Sequence, residues 1–415
     1  MLLSYSVKNY KSFKDEAELS LIVEEDSDIK ERYTDNFYKT NSEDIFRSAI
    51  IVGGNGGGKS NFLESLNYLR HFFNGVSKVI TSINTINDYY VTPQEKIKKD
   101  MPGQSFSVEL INNKKRYAYI LDIDIFGIKN EELYTYNDSI SEYDVIYKVN
   151  RKEIVKNKKL AKNEYINYNA QCNSKYIEEN IIKSIEKSFH DMPNYGLNIS
   201  RFAIMGQSDA INVIKWFREK IIVESPRFFS YDVARRNKIT LEDIVIMKSQ
   251  EFWNIFRLVD ASIFSIIIDE KDPMTDTRVI RKDTDGKKHV HKIIFESSGI
   301  REYFAWSLLI YKAIYNDVVI FADEIDRVLN PVLSAKIFRY FNSIKHKGQI
   351  IFTTHNIMHM DFRVLMKGQI NIVEKNNFDL TSEIYPLTRF EDLTYDDHRA
   401  YEYYLRGMLG GIGCE

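Results

Sequence analysis

Cysteine is nearly missing from this chain: two in 415 residues, Cys172 and Cys414, far apart and without ligand-like spacing. That excludes a disulfide framework, argues against a zinc site and suits a reducing cytoplasm. An excess of charge of one sign is missing too. The 57 Lys and Arg against 59 Asp and Glu give a formal net charge of −2, so no global basic field announces nucleic-acid binding, although local basic patches stay open. No apolar run approaches the length that spans a bilayer. The opening Met1-Leu2-Leu3-Ser4-Tyr5-Ser6-Val7 lacks the basic start and long apolar stretch of a signal peptide. Internal repeats and low-complexity segments are absent as well. These absences predict a cytoplasmic protein without membrane contact. What is present suffices for a globular fold: the hydrophobic content of 44% can build a sizeable core, in one elaborated domain or two to three smaller ones.

The most informative segment is Gly53-Gly54-Asn55-Gly56-Gly57-Gly58-Lys59-Ser60, a complete G-x4-G-K-S phosphate-binding loop. Glycines let the backbone curl so that its N–H groups point at anionic oxygens. Lys59 can reach β- and γ-phosphates, and Ser60 can supply a hydroxyl to Mg²⁺. The flanks agree. Ala49-Ile50-Ile51-Val52 reads as a buried strand, and Phe62, Leu63, Leu66 and Leu69 recur at helical spacing. Strand, Gly-rich turn and helix start form the geometry that holds phosphate.

Three later segments extend this site. Asp317-Val318-Val319-Ile320-Phe321-Ala322-Asp323-Glu324 is an apolar strand ending in two carboxylates, a Walker B pattern. Asp323 would hold Mg²⁺, and Glu324 would orient and deprotonate the attacking water. Glu296-Ser297-Ser298-Gly299-Ile300-Arg301 opens a helix over 301–315. Ser297 and Gly299 there are either an ordinary N-cap or a second anion site, one that caps a γ-phosphate held by another subunit. Gln349-Ile350-Ile351-Phe352-Thr353-Thr354-His355-Asn356 is another buried strand, and its end brings His355 to the rim where open α/β sheets bind ligands.

Around these motifs the chain alternates in character. Residues 1–24 read as two strands around a turn at Lys14-Asp15-Glu16, with Leu3, Tyr5 and Val7 and then Ala17, Leu19 and Leu21 alternating. Strands follow at 106–110, 117–125 and 144–149, with Asn112-Asn113-Lys114-Lys115 as a hairpin turn. Residues 74–104 are polar. Charged helical segments dominate 151–222, including 177–189 and 210–222, and helix continues through 241–258. The basic run 151–162 is either a solvated helix face or a nucleic-acid contact. Ile177, Ile181, Ile182, Ile185 and Phe189 form a stripe that either packs on the core or docks a partner. A second hairpin is expected around Asp285-Gly286. The organisation predicted is an α/β core with a β-rich lobe (1–150), a helical insertion (151–255) that the core does not need, and a second core lobe (256–415).

Taken together, phosphate loop, Ser-x-Gly helix start, Asp-Glu strand and Thr-Thr-His strand resemble the ABC-type ATPases, and within them the RecF, SMC and OLD group. Val7-Lys8-Asn9-Tyr10-Lys11-Ser12-Phe13 is similar to that group's "N-F-K-S-F" opening. Asn55 and Asn61 beside the loop glycines, Glu296-Ser297-Ser298-Gly299, Asp323-Glu324-Ile325-Asp326 and Tyr404-Leu405-Arg406-Gly407-Met408-Leu409-Gly410-Gly411-Ile412 resemble the abortive-infection ATPases, which include AbiLi-type proteins and the AriA ATPase of the PARIS anti-phage system. The resemblance covers roughly 1–150 and 260–412. Ile300 stands where many ABC signatures carry Gln, and Asn330-Pro331 where relatives often have His-Pro.

The resemblance implies an ABC-type P-loop ATPase with ATP and Mg²⁺ as cofactors. Gly53, Asn55, Gly56, Gly57, Gly58, Lys59, Ser60 and Asn61 would bind the nucleotide, with Ser297 and Gly299 completing the site from the opposite subunit. Ser60 and Asp323 would hold the metal, Glu324 would be the base and His355 would sense the γ-phosphate. A homodimer or higher homo-oligomer follows, acting as a switch in anti-phage defence over a partner toxin or nuclease. The 60 residues after His355 leave no room for the nuclease domain of OLD proteins, so such activity is expected in the partner. The alternative is a RecF-like DNA-binding ATPase, and a scaffold that binds ATP with little hydrolysis is a second.

Overall fold

Alternation in a strand sends successive side chains to opposite faces, and here it sorts two cores. Ala49 and Ile51 join one buried cluster, Ile50 and Val52 the other. The strand that carries them is the fourth in a six-stranded sheet that separates the clusters. The computed structural model describes residues 1–40, 42–74, 102–156, 164–191, 196–224, 231, 234, 239–324, 330–376, 378–396 and 400–410.

In chain order the strands are β1 (Leu2–Lys8), β2 (Ala17–Ser20), β3 (Phe37–Lys39), β4 (Asp44–Phe46) and β5 (Ser48–Val52). Then come β6 (Gln104–Asn112), β7 (Lys115–Asp124), β8 (Gly127–Asn137), β9 (Glu142–Lys156), β10 (Glu164–Cys172), β11 (Ile221–Glu224) and β12 (Ile263–Ile267). The last are β13 (Arg278–Lys282), β14 (Lys288–Lys292), β15 (Val319–Ala322), β16 (Gln349–Thr354), β17 (Ile370–Lys375) and β18 (Ser382–Pro386). The helices used below are α1 (Ser27–Arg32), α2 (Lys59–Asn74), α3 (Glu179–Asp191), α4 (Asn198–Ile204), α5 (Ser208–Lys215), α6 (Leu241–Met247), α7 (Gln250–Phe256), α8 (Ser298–Tyr315), α9 (Pro331–Ser343) and α10 (Ala400–Leu405).

The six-stranded sheet runs β11-β15-β16-β5-β17-β18, parallel except for the β17–β18 hairpin. Phe62, Leu63, Leu66 and Leu69 of α2 cover one face, and α7, α8 and α9 cover the other. Helices on both faces are what a parallel sheet with near-continuous apolar strands requires. A seven-stranded antiparallel sheet, β10-β9-β8-β7-β6-β1-β2, forms the β-rich lobe. Gln349, fully buried, joins the two sheets: its Oε1 accepts the N–H of Leu2, and its Nε2 donates to the carbonyls of Leu2 and Phe46. The architecture is therefore α/β, with the β-rich lobe that the sequence predicts.

The turn at Asn112–Lys115 forms as expected, with both central residues, Asn113 and Lys114, at positive φ (49° and 65°), the backbone of a type I′ hairpin. Several helical expectations need correction. The basic run 151–162 is not a helix face: β9 extends through Lys156, and 157–162 lie outside the described residues. The helix expected over 210–222 ends at Lys215, passes through a π turn at Trp216–Lys220, and gives way to β11. Thus the segment expected to be a helical insertion begins with two antiparallel strands and contributes β11 to the parallel sheet. Residues 151–156 are β because their backbone groups pair with β10, and 221–224 because theirs pair with β15, while 241–247 and 250–256 are helical as expected. The Ile177–Phe189 stripe packs inward: Ile177, Ile185 and Phe189 are buried in the lobe's core, with Ile181 and Ile182 against it. Most of the polar stretch 74–104, Ile325 and Asp326, and Gly411 and Ile412 lie outside the described residues.

Candidate nucleotide site

Strand β5 is buried along its whole length and delivers the chain to the loop at its C-terminal end. Two glycines there are required by their surroundings. A Cβ on Gly53 would meet the Val373 carbonyl oxygen at 2.4 Å, because β17 runs alongside. Gly58 has φ +118°, and a Cβ would meet Ser382 Oγ at 2.7 Å. The loop's outer side faces solvent: Asn55 and Gly56 are exposed, whereas Gly57, Gly58 and Lys59 are buried. Its inner side is pinned by two serines outside the G-x4-G-K-S motif. Ser382 Oγ donates to the Gly57 carbonyl (2.6 Å), and Ser382 N–H donates to the Ser12 carbonyl (2.7 Å). Asn61, expected among the nucleotide-binding residues, directs its Nδ2 to Ser12 Oγ (2.8 Å) and so braces α2 against the N-terminal turn.

Parallel pairing sets what lies beside the loop. Register Thr354↔Val52 puts His355 next to Gly53, and register Ala322↔Phe352 puts Asp323 next to Thr353. Lys59, only 4% exposed, donates from Nζ to the carbonyls of Gly53 (2.7 Å) and Gly54 (3.0 Å), and lies 3.2 Å from His355 Nδ1. These two residues are 296 positions apart in sequence. The ammonium is the donor, so Nδ1 accepts and the ring proton sits on Nε2.

The acidic pair is organised by Thr353. Its hydroxyl donates to Asp323 Oδ1 (2.6 Å) and accepts the Glu324 N–H (2.8 Å). Asp323 is buried, and its own N–H donates to the Glu224 carbonyl (2.8 Å) at the end of β11. Glu324 sits at φ +51°, a left-handed backbone uncommon for a residue with a Cβ. Burial pushes the neighbouring Glu224 carboxyl up to about 7, while Arg70 and Lys312 pull it down. No feature of the Asp-Glu motif pointed to Thr353 or Glu224; strand adjacency does.

Ser60 is half-buried in the first turn of α2. Ser60 and Asp323 offer a hydroxyl and a carboxylate, the hard oxygen donors that Mg²⁺ takes alongside water and phosphate oxygens. Ser297 and Gly299 stand elsewhere, at the start of α8. Ser297 Oγ accepts the Ile300 N–H as an N-cap (3.4 Å), and Ser297 is exposed. No hydrogen bond among the described residues ties either to the phosphate loop, and a Cβ on Gly299 would meet nothing within 4 Å. Asn330, in the place of the more usual His, caps α9 by accepting the Leu333 N–H (2.9 Å). The C-terminal segment docks near the loop's flank: Tyr385 donates to the Leu409 carbonyl (3.0 Å), and Gly410 at φ +69° packs against Tyr385 and Glu374.

No protein-family profile matches this chain, and no curated protein matches it in sequence. In structure it is similar to SMC head domains. One is the SMC head domain from Thermotoga maritima, with 14% identity, a TM-score of 0.41, and 93% of this chain and 98% of that chain covered. Another is the SMC head bound to the C-winged helix domain of ScpA, with 14% identity, TM-score 0.43 and coverage of 93% and 97%. A third is the Smc head domain with an extended coiled coil bound to the C-terminal domain of ScpA, derived from Pyrococcus furiosus, with 12% identity, TM-score 0.41 and coverage of 98% and 99%. At these scores the likeness carries no functional argument, and the α/β architecture stands on its own strand order. Among the described residues no helix is long and apolar enough to cross a membrane.

Proposed function

We propose that this chain is an ABC-type ATPase that binds ATP with Mg²⁺ at the Lys59 rim and hydrolyses it in composite sites between two copies. The observation that carries this reading is convergence: Lys59 lies 3.2 Å from His355, and on the adjoining strands Thr353 links Asp323 to Glu324. In this reading Lys59 exchanges its carbonyl partners for β- and γ-phosphate oxygens, and the N–H groups of 56–60 close around them. Ser60 and Asp323 would hold the metal, which would supply positive charge against the phosphate oxygens. Glu324 takes a proton from the attacking water, and His355 meets the γ-phosphate. Ser297 is exposed and Gly299 half-buried at a helix start, where a site completing a partner's nucleotide would stand.

The test is a pair of substitutions. Lys59→Ala is expected to abolish nucleotide binding or turnover. Glu324→Gln is expected to bind ATP and to hydrolyse it about 10² to 10⁴ times more slowly, since glutamine keeps the shape and loses the base. Phosphate release and fluorescent-nucleotide binding measure both. Rapid turnover by Glu324→Gln puts the base elsewhere.

For the biological role we read the protein as an ATP-dependent switch in anti-phage defence that restrains or releases a partner toxin or nuclease. The support is sequence resemblance to the abortive-infection ATPases at Asn55 and Asn61, Glu296-Ser297-Ser298-Gly299, Asp323-Glu324-Ile325-Asp326 and the segment from Tyr404 to Ile412. Plaque assays comparing wild type with Glu324→Gln, in cells carrying the adjacent genes, test it: equal plating of phage on both removes the switch.

A further inference from the structure

A broad concavity among the described residues lies away from the phosphate loop. It is a cleft of about 910 Å³ at the opposite, N-terminal ends of the parallel strands. Arg47 immediately precedes β5, Asp317 stands just before β15, and Lys345 and Lys347 lead into β16. The facing wall is the β6–β7 hairpin with Lys114 and Lys115, and Lys39 of β3 adds to the rim.

The balance of charge inside is unlike that of the chain. Lys115 is paired with Asp209 (2.9 Å), and Arg116 with Glu43 (2.9 Å) and Glu109 (2.8 Å). That leaves five cations, Lys39, Arg47, Lys114, Lys345 and Lys347, against two lining carboxylates, Asp138 and Asp317. The Asp317 carboxylate already accepts the Lys347 N–H (2.8 Å). Arg47 gives its donors to the carbonyls of Asn342 (3.3 Å) and Ile344 (2.8 Å), which holds its charge in the wall without neutralising it. The four lysines form no side-chain ion pair among the described residues and are exposed. Like charges gathered around one concavity focus the field inward, where an anion offsets their repulsion.

We propose that this cleft binds a compact, multiply charged phosphate compound of nucleotide size, at a site separate from the phosphate loop. The volume falls in the range of small-ligand pockets, roughly 300 to 1,000 Å³. Single-stranded nucleic acid is a poorer fit, because its binding grooves combine cations with open aromatic platforms. Here Phe37 and Tyr38 are buried, Arg47 lies 4.4 Å from the Tyr38 ring centroid, and Arg116 lies 4.7 Å from that of Tyr136. Lysines, as mobile point charges, suit a ligand recognised by charge and not by a fixed fork.

The experiment uses the full chain carrying Lys59→Ala, so that binding at the phosphate loop does not contribute, and titrates inorganic tripolyphosphate by calorimetry. We expect saturable binding that weakens with added salt and falls at least tenfold when Lys345→Glu and Lys347→Glu are added. Both lysines are exposed, and a melting curve unchanged by the pair keeps the comparison between folded proteins. A parallel titration with ATP separates the sources. Tighter binding than tripolyphosphate indicates a nucleotide that uses the Tyr136 wall, whereas equal binding indicates recognition of the phosphates alone. Absence of tripolyphosphate binding in the Lys59→Ala protein overturns the proposal, as does binding indifferent to the charge reversals. Tighter binding of a 12-nucleotide single strand than of tripolyphosphate overturns the ligand class. The outcome is independent of whether the phosphate loop hydrolyses ATP.

Discussion

At position 353 one hydroxyl serves two acidic residues, donating to Asp323 and accepting from the Glu324 backbone. Thr353→Val keeps the shape and removes both bonds, leaving a buried carboxylate short of a donor, at a cost of about 1–3 kcal/mol. We expect ATP turnover to fall by roughly ten- to a hundredfold with nucleotide binding retained. Thr353→Ser should restore most of it, and that rescue separates positioning from a general loss of structure. A second residue-level prediction concerns His346, which is buried beneath the basic cleft. Its Nδ1 accepts the Gly348 N–H (3.2 Å) and its Nε2 donates to the Phe341 carbonyl (2.8 Å), an arrangement only the neutral ring satisfies. Burial, with Arg47 nearby, lowers its pKa to about 4, against the bonding to Phe341. Between its ordinary value and about 4 the unfolded chain binds the extra proton, so stability is full above pH 6.5 and drains as pH falls toward 4. The loss is on the order of 3 kcal/mol. Denaturant melts across that window should show the slope in wild type and a shallower one in His346→Gln.

At the scale of elements, the start of α8 stands apart from the phosphate loop, with no hydrogen bond to it among the described residues. Ser297 is exposed and caps only its own helix, whereas Lys59 is buried in contacts with the loop and His355. A site completed in trans predicts complementation. Ser297→Arg and Lys59→Ala proteins should each be inactive, and a mixture should regain part of the wild-type ATPase, because one of the two sites in a mixed dimer has both halves intact. No recovery in verified mixed dimers means that each chain completes its own site. The phosphate loop, by contrast, is held from within. Ser382 and Ser12 pin it, and β17 approaches so closely that only glycine fits at position 53.

The whole molecule does not divide where its sequence changes character. A helical segment that the core could do without was the natural expectation for 151–255, yet β11 within it pairs with β15 and its Glu224 carbonyl holds the Asp323 N–H. Removing 155–250 therefore takes a strand out of the nucleotide-bearing sheet. Even the narrower excision of 179–215 removes Ile185, Ile199, Phe202 and Val213, all fully buried. It also strips Glu131, fully buried in β8, of the Asn198 and Ile199 N–H groups that its carboxylate accepts at 2.7 Å. We expect that excision to lower the melting temperature by more than 10 °C or to prevent folding, in line with the cost of losing several core side chains. A deletion protein melting within a few degrees of wild type would falsify this integration.

Local chemistry determined the parts that could be read from residues alone. A Gly-rich turn between an apolar strand and a helically spaced run is legible because backbone curvature, period and charge lie within a dozen neighbouring positions. The strands ending in Asp323-Glu324 and Thr354-His355 are legible for the same reason, as is the Asn113-Lys114 turn. What only the tertiary structure decided are relations between distant segments. The Lys59–His355 contact, the Thr353 bridge and the Ser12–Ser382 clasp depend on which strands lie side by side, and pairing order is not written in any one strand. β8 escaped notice because its inward position 131 is a glutamate, which breaks the apolar alternation. That carboxylate is tolerated inside because a helix start from 67 residues away supplies its hydrogen bonds, and its pKa rises with burial nonetheless. The basic cleft is likewise invisible to a chain of net charge −2, since it collects lysines from segments some 300 residues apart that meet only when β3, the β6–β7 hairpin and the approach to β16 are folded together.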